Sequence, residues 1–442
     1  MVGLTFLLNG QTTFTSISSD RWDRNATWDQ GSVPTATDNV IIASGTTVTL
    51  FGTVTINDIT IQAGGILDAD NRSLTIDGNF VVDGAYTSSN AAVDLTFSGS
   101  SLGGSGSISI NKDLSSVIFN SNATIISSAD LQIYGGSVIS AGVEVQNEGS
   151  IEFYGTLTGD DATAIWTNQA SSYIGISDAL LTTGELDASS SNNTVEYFQV
   201  GDQSIKLPNA SSYTNLTISG SGIKTMPADL ILNGDLTIGS GSLATNNFNI
   251  EIKGNWDNSA TFDEGTGQVT FSGTSDQQIS NGSGETFYDF LINKTGGGLT
   301  LNNDASVSST LTMTDGEIIA SPGTISLGTN LISEGTLNYT SGLIDGTFKR
   351  WVDSNGPFLF PVGANNNYQG LSITLNAYGS GGTLSASFDI SVPGNGGLPL
   401  DDGGTNIFNT FNEGYWTLTD DDGFSLGGGN TYDISLDGNG FT

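Results

Sequence analysis

The sequence predicts an all-β protein, in which a right-handed parallel β-helix (a β-solenoid) is followed by a C-terminal β-sandwich-like module. Three observations lead to this prediction. Many short segments alternate apolar residues with threonine or acidic residues, which is the period-two pattern of β-strands. Clusters of Gly, Asn, Asp and Ser, the residues typical of tight turns, separate these segments. No segment shows the sustained 3.6-residue apolar period of a helix.

An internal repeat favours the solenoid over other all-β folds. Residues 195–219 resemble residues 269–293, and six matched pairs stand 74 positions apart: Val195 and Val269, Asp202 and Asp276, Gln203 and Gln277, Ile205 and Ile279, Tyr213 and Phe287, Ile218 and Ile292. Stacked coils repeat because each coil must offer the next one a similar surface. The alternative is a set of separate β-sandwiches, whose strands also recur at short intervals. The repeated motifs cross the boundaries that separate β-sandwich domains would need, which favours the solenoid.

The predicted elements fall into three parts. Residues 1–39 form an N-terminal cap. Residues 40–345 form the parallel β-helix, with strand signals such as TTVTL (46–50), SLTI (73–76), NLTI (215–218) and TLTM (310–313). Residues 346–442 form the β-sandwich-like module, in which the strand signals are longer and no Lys or Arg follows Arg350. The chain ends just after a strand signal, so this module is predicted to be incomplete.

The composition argues against several functional classes. The chain has 442 residues, with 46 acidic and 10 basic side chains and a net charge of −36. Such a charge repels nucleic acid and anionic lipid, which are bound through Lys and Arg. The absence of cysteine excludes disulfides, and the absence of histidine removes the usual zinc ligand and every Ser-His triad. No apolar run is long enough for a membrane-spanning segment.

Both ends of the chain resemble a known group of proteins. Residues 346–442 carry the markers Phe360, Pro361, Val362 and Gly363, followed by Gly414, Tyr415 and Trp416. They resemble the domain that follows β-helical regions in large surface proteins exported by the type IX secretion system. Residues 21–50 are similar to the opening of the same proteins and to the eight-glycine domain of extracellular β-helix proteins. The resemblance implies an extracellular, cell-surface location and the type IX secretion machinery as a partner.

Carboxylates are the candidate chemical groups. A polysaccharide hydrolase needs two of them, and the candidate pairs are Asp68 with Asp70, Asp160 with Asp161, and Asp401 with Asp402. The favoured alternative is that these are ordinary turn residues, since turns select Asp for local hydrogen bonds. A further acidic run, Asp420, Asp421 and Asp422, is a candidate Ca²⁺ site, with an exposed acidic turn as the alternative. No other cofactor is expected.

Aromatic side chains can stack on sugar rings. The candidate residues for such stacking are Tyr154, Trp166, Tyr173, Tyr213, Trp256 and Phe287. The default interpretation is that they pack in the core or cap the coils. An exposed aromatic row along one face would instead favour carbohydrate binding.

We therefore expect a structural segment of an extracellular adhesin or filament, a stiff acidic rod that presents binding surfaces and is not an enzyme. Its expected partners are surface glycans or other surface and filament proteins. The alternative is a carbohydrate-binding module, and a polysaccharide-degrading β-helix enzyme is the less favoured third hypothesis.

Overall fold

The computed structural model describes residues 11–88, 93–110, 116–394 and 397–441. The chain divides into two compact units, Met1–Pro227 and Ala228–Thr442. Almost all regular structure is β, and the helices in the described ranges are two short 3-10 turns, Asn25–Thr27 and Asn209–Ser211. Residues 1–10 of the predicted cap lie outside the described residues. Among the residues that the structure describes, no helix has the length and apolar character needed to cross a bilayer.

The first unit consists of short strands, most of three or four residues. In chain order they are β1 (Thr13–Thr15), β2 (Asp20–Arg21), β3 (Asn39–Ile42), β4 (Thr47–Thr49), β5 (Val54–Ile56), β6 (Ile59–Ile61), β7 (Ile66–Asp68), β8 (Leu74–Ile76), β9 (Phe80–Val82), β10 (Ala85–Thr87), β11 (Leu95–Phe97), β12 (Ser101–Gly103), β13 (Ser107–Ser109), β14 (Ser116–Phe119), β15 (Ala123–Ile125), β16 (Asp130–Tyr134), β17 (Gly136–Ile139), β18 (Glu144–Asn147), β19 (Ser150–Phe153), β20 (Leu157–Gly159), β21 (Ile165–Asn168), β22 (Tyr173–Ile176), β23 (Glu185–Asp187), β24 (Thr194–Tyr197), β25 (Gln203–Ser204), β26 (Ser212–Tyr213), β27 (Asn215–Ile218) and β28 (Ile223–Thr225).

These strands build parallel sheets that the chain visits in rotation. One sheet has the order β1-β3-β6-β9-β12-β15-β18-β21-β23, and another has the order β5-β8-β11-β14-β17-β20. The third, here called the front sheet, runs β2-β4-β7-β10-β13-β16-β19-β22-β24-β27. Each strand pairs with the equivalent strand of the next coil, and all these pairings are parallel. The predicted parallel β-solenoid is therefore confirmed.

Apolar side chains stack in register inside the coils. On the front sheet, Ile151 lies opposite Ile174, which lies opposite Val195, which lies opposite Leu216. None of these four side chains is more than 1% exposed. Burying one such aliphatic side chain contributes about 1.5–3 kcal/mol. In a single coil, both sides of each apolar side chain would be exposed to water. The pattern of apolar residues must therefore recur from coil to coil.

The start of the first unit buries tryptophan. Trp22 and Trp28 meet edge to face with ring centroids 4.8 Å apart, and the indole N–H of Trp28 donates to the carbonyl oxygen of Trp22 at 2.8 Å. Both side chains are buried, as is Phe14 beside them. These rings fill the interior of the first coils, within the segment predicted as the cap.

The second unit continues in parallel coils and then changes to antiparallel sheets. Its strands are β29 (Leu230–Leu232), β30 (Leu236–Ile238), β31 (Ser242–Ala244), β32 (Ile250–Ile252), β33 (Trp256–Asn258), β34 (Thr261–Asp263), β35 (Gln268–Gly273), β36 (Gln277–Ser280), β37 (Glu285–Leu301), β38 (Ala305–Leu327), β39 (Thr336–Tyr339), β40 (Leu343–Val352), β41 (Gly356–Phe360), β42 (Val362–Ala364), β43 (Asn367–Tyr368), β44 (Leu371–Leu375), β45 (Gly382–Asp389), β46 (Leu400–Asp402), β47 (Thr405–Ile407), β48 (Tyr415–Asp421) and β49 (Tyr432–Leu436).

The change of pairing falls within β40. Its first residues pair parallel with β38 and β42, and its last five, Phe348–Val352, pair antiparallel with β45. Two antiparallel sheets follow, β40-β45-β48 and β41-β44-β49. Phe348 of one sheet contacts Phe360 of the other, with ring centroids 5.7 Å apart. These sheets fit the predicted sandwich-like module, and the predicted boundary at 345/346 lies inside β40.

The repeat seen in the sequence has a shared structural role in both units. The Gln203 side-chain amide donates to the carbonyl oxygens of Ile176 and Asp178, at 3.2 and 2.6 Å. The Gln277 amide donates to those of Ile252 and Gly254 at the same two distances. The preceding aspartates, Asp202 and Asp276, each accept a backbone N–H of the following coil at 2.9 Å. Through these hydrogen bonds, the repeated Asp-Gln pair links its own coil to the coil before it and to the coil after it.

Candidate binding surface

The outer side of the front sheet carries a row of aromatic and carboxylate side chains on β16, β19, β22 and β24. Successive side chains of a strand point to opposite faces, so the residues between the buried ones face outward. The register places Gln132 opposite Glu152, Glu152 opposite Gly175, and Gly175 opposite Glu196. We call this surface the tyrosine–glutamate face, and it comprises Gln132, Tyr134, Glu152, Tyr154, Tyr173, Gly175, Glu196 and Phe198.

Aromatic rings of this face contact one another between coils. Tyr134 and Tyr154 stack with ring centroids 4.4 Å apart and planes 16° from parallel. Phe198 meets Tyr154 edge to face at 5.3 Å. Tyr134 is 37% exposed, and the other two rings are half-buried. The three rings therefore form a continuous strip that is partly exposed to water.

Hydrogen bonds hold the first two rings in place. The Tyr134 hydroxyl donates to the Gln132 side-chain oxygen at 2.9 Å. The Gln132 amide donates to the Glu152 carboxylate at 3.2 Å, and the Tyr154 hydroxyl donates to the same carboxylate oxygen at 2.8 Å. The side chains are thus ordered before any ligand arrives, which lowers the entropic cost of binding.

A glycine creates the space for the third tyrosine. The Tyr173 hydroxyl donates to the Glu196 carboxylate at 2.8 Å. A Cβ added at Gly175 would lie 2.6 Å from that hydroxyl and 2.9 Å from the Phe198 ring. The absence of a side chain at Gly175 therefore allows Tyr173 to reach across one coil to Glu196.

The tyrosine hydroxyls of this face act as donors at neutral pH. Burial raises the pKa of Tyr154, and the hydrogen bond to Glu152 raises it further. Burial and the Glu196 carboxylate raise the pKa of Tyr173 in the same way. A protonated phenol donates its hydrogen to the carboxylate. The second oxygen of Glu196 also accepts the Ser219 hydroxyl, and each oxygen of Glu196 can accept one more hydrogen bond.

A shallow cleft of about 300 Å³ adjoins the Tyr134 end of the face. It is lined by the small residues Gly84, Ser105, Gly106 and Ser107 and by two larger polar side chains, Asp130 and Gln132. Gln132 belongs to both the cleft and the face. The arrangement places an aromatic ring beside a recess with hydroxyl, amide and carboxylate groups.

The structure separates the aromatic residues that the sequence grouped together. Trp166, Tyr213, Trp256 and Phe287 are core residues, none more than 1% exposed. Tyr154 and Tyr173 lie on the tyrosine–glutamate face. Tyr134 and Phe198 also lie on this face, although they were not among the predicted residues. A shared pattern marks them in the sequence: LQIY (131–134), IEFY (151–154) and VEYF (195–198) each place an aromatic residue after an apolar–polar–apolar triplet.

The candidate acid pairs lie at or next to the ends of strands, and one carboxylate of each pair accepts a hydrogen bond from the local backbone. Asp68 accepts the N–H of Asp70 at 2.9 Å, and Asp401 accepts that of Gly404 at 2.7 Å. Asp161 accepts the N–H of Thr163 at 2.8 Å, and hydrogen bonds from the Thr163 side chain and backbone lower the pKa of that carboxyl. These are the contacts expected of turn residues.

The acidic run at 420–422 lies at the end of β48 next to a lysine. The Lys349 ammonium is 2.7 Å from the Asp422 carboxylate and 3.7 Å from that of Asp421. Asp420 projects to the other face of the strand, opposite Leu384. Across the described ranges, no cluster of three or more acidic residues has the geometry to hold a metal ion. Ca²⁺ binding by Asp420, Asp421 and Asp422 stays a prediction.

Comparisons of this chain with family models, curated proteins and solved structures gave no match.

Proposed function

We propose that this chain is a segment of an extracellular cell-surface adhesin, and that its β-solenoid binds carbohydrate through the tyrosine–glutamate face. The observation that supports the proposal is the ordered row of Tyr134, Tyr154, Tyr173 and Phe198, which alternates with carboxylates on an outer surface. Most aromatic residues that the structure describes are buried in the core, whereas these rings are partly exposed to water.

The chemistry of the face matches that of a sugar. The C–H side of a pyranose packs against aromatic rings, and its hydroxyls donate to carboxylates. Glu152 and Glu196 provide the acceptors, and Gln132 adds an amide beside the cleft. The net charge of −36 repels anionic polysaccharides. The proposed ligand is therefore an oligosaccharide of neutral sugars.

The solenoid scaffold suits an adhesive role. Parallel pairing between coils keeps the outward side chains in register, so a binding row extends across several coils. Neither disulfides nor buried metal–thiolate sites are needed, since the chain has no cysteine. Export by the type IX secretion machinery and a cell-surface location are part of the proposal, and their support is the resemblance of the two ends of the chain.

Glycan-array binding by the full chain tests this function. Tyr134→Ala and Glu152→Ala are each expected to weaken binding of neutral glycans about tenfold or more, because they remove a stacking ring or an acceptor. Tyr415→Ala is the matched control, since it removes an exposed tyrosine from β48 in the second unit. Absence of glycan binding, or equal loss in all three variants, would contradict the proposal.

A further inference from the structure

The C-terminal module has an open apolar cleft between its two antiparallel sheets. The cleft has a volume of about 330 Å³ and is lined by apolar residues from both sheets, including Ile373, Leu384, Leu418, Phe424, Tyr432 and Ile434. Ile434 is 45% exposed and Tyr432 is 46% exposed, although both belong to a regular strand. The interior of this part of the module is thus accessible to water.

The strands that border the cleft are edge strands. β48 pairs with β45, and β49 pairs with β44. Within the described residues, neither strand has a partner on its second side. On β49, Ile434 lies opposite the buried Ile373 and so faces the interior, whereas Ser435 lies on the outer side. An open edge next to an uncovered apolar face is a template for one more strand.

The charge around the cleft indicates what kind of strand fits. Residues 346–442 contain ten acidic side chains and two basic ones, Lys349 and Arg350. Lys349 already forms ion pairs with two of the carboxylates, which leaves an excess of acidic side chains in this module. Asp420 is one of the residues that line the cleft, and Asp433 lies on the outer side of β49. A basic segment gains attraction at this surface, whereas a second copy of this acidic chain meets repulsion.

We propose that this cleft binds an extended, basic segment of a partner protein, which adds as a strand to the free edge of β49. Alternate apolar side chains of the segment cover Leu418 and Ile434, and its intervening Lys or Arg side chains face the surrounding carboxylates. This interaction is independent of the tyrosine–glutamate face, which lies in the first unit.

Binding of labelled heptapeptides to the full chain, followed by fluorescence anisotropy, tests the proposal. The probe KVKVTVK supplies alternating valines and lysines, and EVEVTVE is its acidic counterpart. We expect the basic peptide to bind at least about tenfold more tightly than the acidic one. We also expect hydrogen exchange to slow at alternate amides of residues 432–436 when the basic peptide is bound.

Paired variants distinguish peptide binding in the cleft from nonspecific electrostatic attraction to the acidic surface. Ile434→Lys is expected to weaken binding of the basic peptide about tenfold or more, because it places a charge inside the cleft. Ser435→Lys adds the same charge on the outer side of the strand and is expected to weaken binding of this peptide less than threefold. Asp420→Asn retains the apolar cleft and is expected to weaken the basic peptide about two- to fivefold.

Four results would overturn the proposal: no binding of the basic peptide, equal binding of the acidic peptide, equal effects of the two lysine variants, or no new protection at 432–436. Concentration-dependent self-association that Ile434→Lys abolishes would also overturn it, since the occupant would then be a second copy. Protection of residues 432–436 without peptide, in a longer chain that extends past residue 442, would overturn it too, since the occupant would then be a later strand of the same protein. Circular dichroism of each variant checks that the sheets are retained.

Discussion

At the scale of single residues, buried polar side chains bind the backbone at the corners of the coils. The Lys224 ammonium, fully buried, donates to the carbonyl oxygens of Gln199, Gly201 and Ser221. In the second unit the Lys294 ammonium donates to the Ser275 carbonyl and to the Gln277 side-chain oxygen, at 2.8 and 2.6 Å. Corners leave carbonyl groups without strand partners, and these side chains satisfy them.

Gln277→Leu tests this role. We expect a loss of about 2–4 kcal/mol in the free energy of unfolding, because two carbonyls and the Lys294 ammonium lose a partner in a buried site. Gln278→Leu is the matched control, since the neighbouring side chain is exposed, and it is expected to change stability by less than about 0.5 kcal/mol. Urea unfolding followed by circular dichroism measures both. Equal stability of the two variants would contradict the corner role.

A second residue-scale prediction concerns Glu317, which lines an acidic cleft in the second unit. Burial raises the pKa of Glu317, the backbone N–H of Asn366 partly opposes this, and the charges of Asp345 and Asp276 raise it further. A carboxyl whose folded pKa lies above its unfolded pKa destabilises the fold once both states are ionised. The destabilisation is absent at low pH and grows as pH rises through the window between the two pKa values.

Glu317→Gln is therefore expected to raise the melting temperature at pH 7 and to leave it unchanged at pH 3. The gain is expected to be small, because solvent screens a partly exposed group. Differential scanning calorimetry at both pH values measures it. A gain that is the same at pH 3 and pH 7 would show that the ionisation of Glu317 is not the cause.

At the scale of elements, the same position in the repeat carries a polar contact in one unit and an apolar one in the other. The Tyr213 hydroxyl donates to the Lys206 carbonyl and contacts the Tyr197 hydroxyl at 2.9 Å. At the equivalent position, Phe287 packs against Trp256, with ring centroids 5.4 Å apart. Both positions hold a buried aromatic ring. A hydroxyl on the ring is favourable where a backbone carbonyl lies within reach, as at Tyr213, and unfavourable where other rings surround it, as at Phe287.

Exchanging the two side chains tests this difference. Tyr213→Phe is expected to cost about 1–2 kcal/mol, because the Lys206 carbonyl loses its donor. Phe287→Tyr is expected to cost at least as much, because it places a hydroxyl in a fully packed aromatic cluster. Equilibrium unfolding measures both variants. If either variant matches the wild type in stability, that position tolerates both rings, which would contradict the expected difference between Tyr213 and Phe287.

At the scale of the whole molecule, the dominant property is the net charge of −36. Only three ion pairs occur among the described residues, Arg21 with Asp23 and Lys349 with Asp421 and Asp422. Most carboxylates therefore repel one another at neutral pH. Screening by salt weakens this repulsion over the Debye length of about 10 Å at 0.1 M.

Raising NaCl from about 10 mM to about 300 mM is expected to increase the melting temperature by a few degrees through this screening. EDTA, added at constant ionic strength, is expected to leave the melting temperature unchanged, because Lys349 already neutralises part of the run at 420–422. Differential scanning fluorimetry measures both. A drop of several degrees in EDTA would establish a structural Ca²⁺ site and would favour Asp420, Asp421 and Asp422 as its ligands.

The fold class follows from the amino-acid sequence alone. The alternation of apolar residues with Thr or acidic residues indicates which side chains face inward. The recurrence of Asp202-Gln203 as Asp276-Gln277 indicates that the coils stack. Both signals are local, since they depend on strand geometry and on identical contacts between neighbouring coils. For the same reason the change in strand spacing after about residue 345 predicted the antiparallel module.

The position of the proposed binding surface depends on the tertiary structure. Tyr134, Tyr154 and Phe198 become neighbours because β16, β19, β22 and β24 pair in one register. That register cannot be read from the sequence, since coils differ in length: Ile250 pairs with Val269, whereas Leu311 pairs with Leu337. Alternation also marks Tyr213 and Tyr154 alike as strand-associated aromatics, and only the packing of the coils buries the first and leaves the second at the surface.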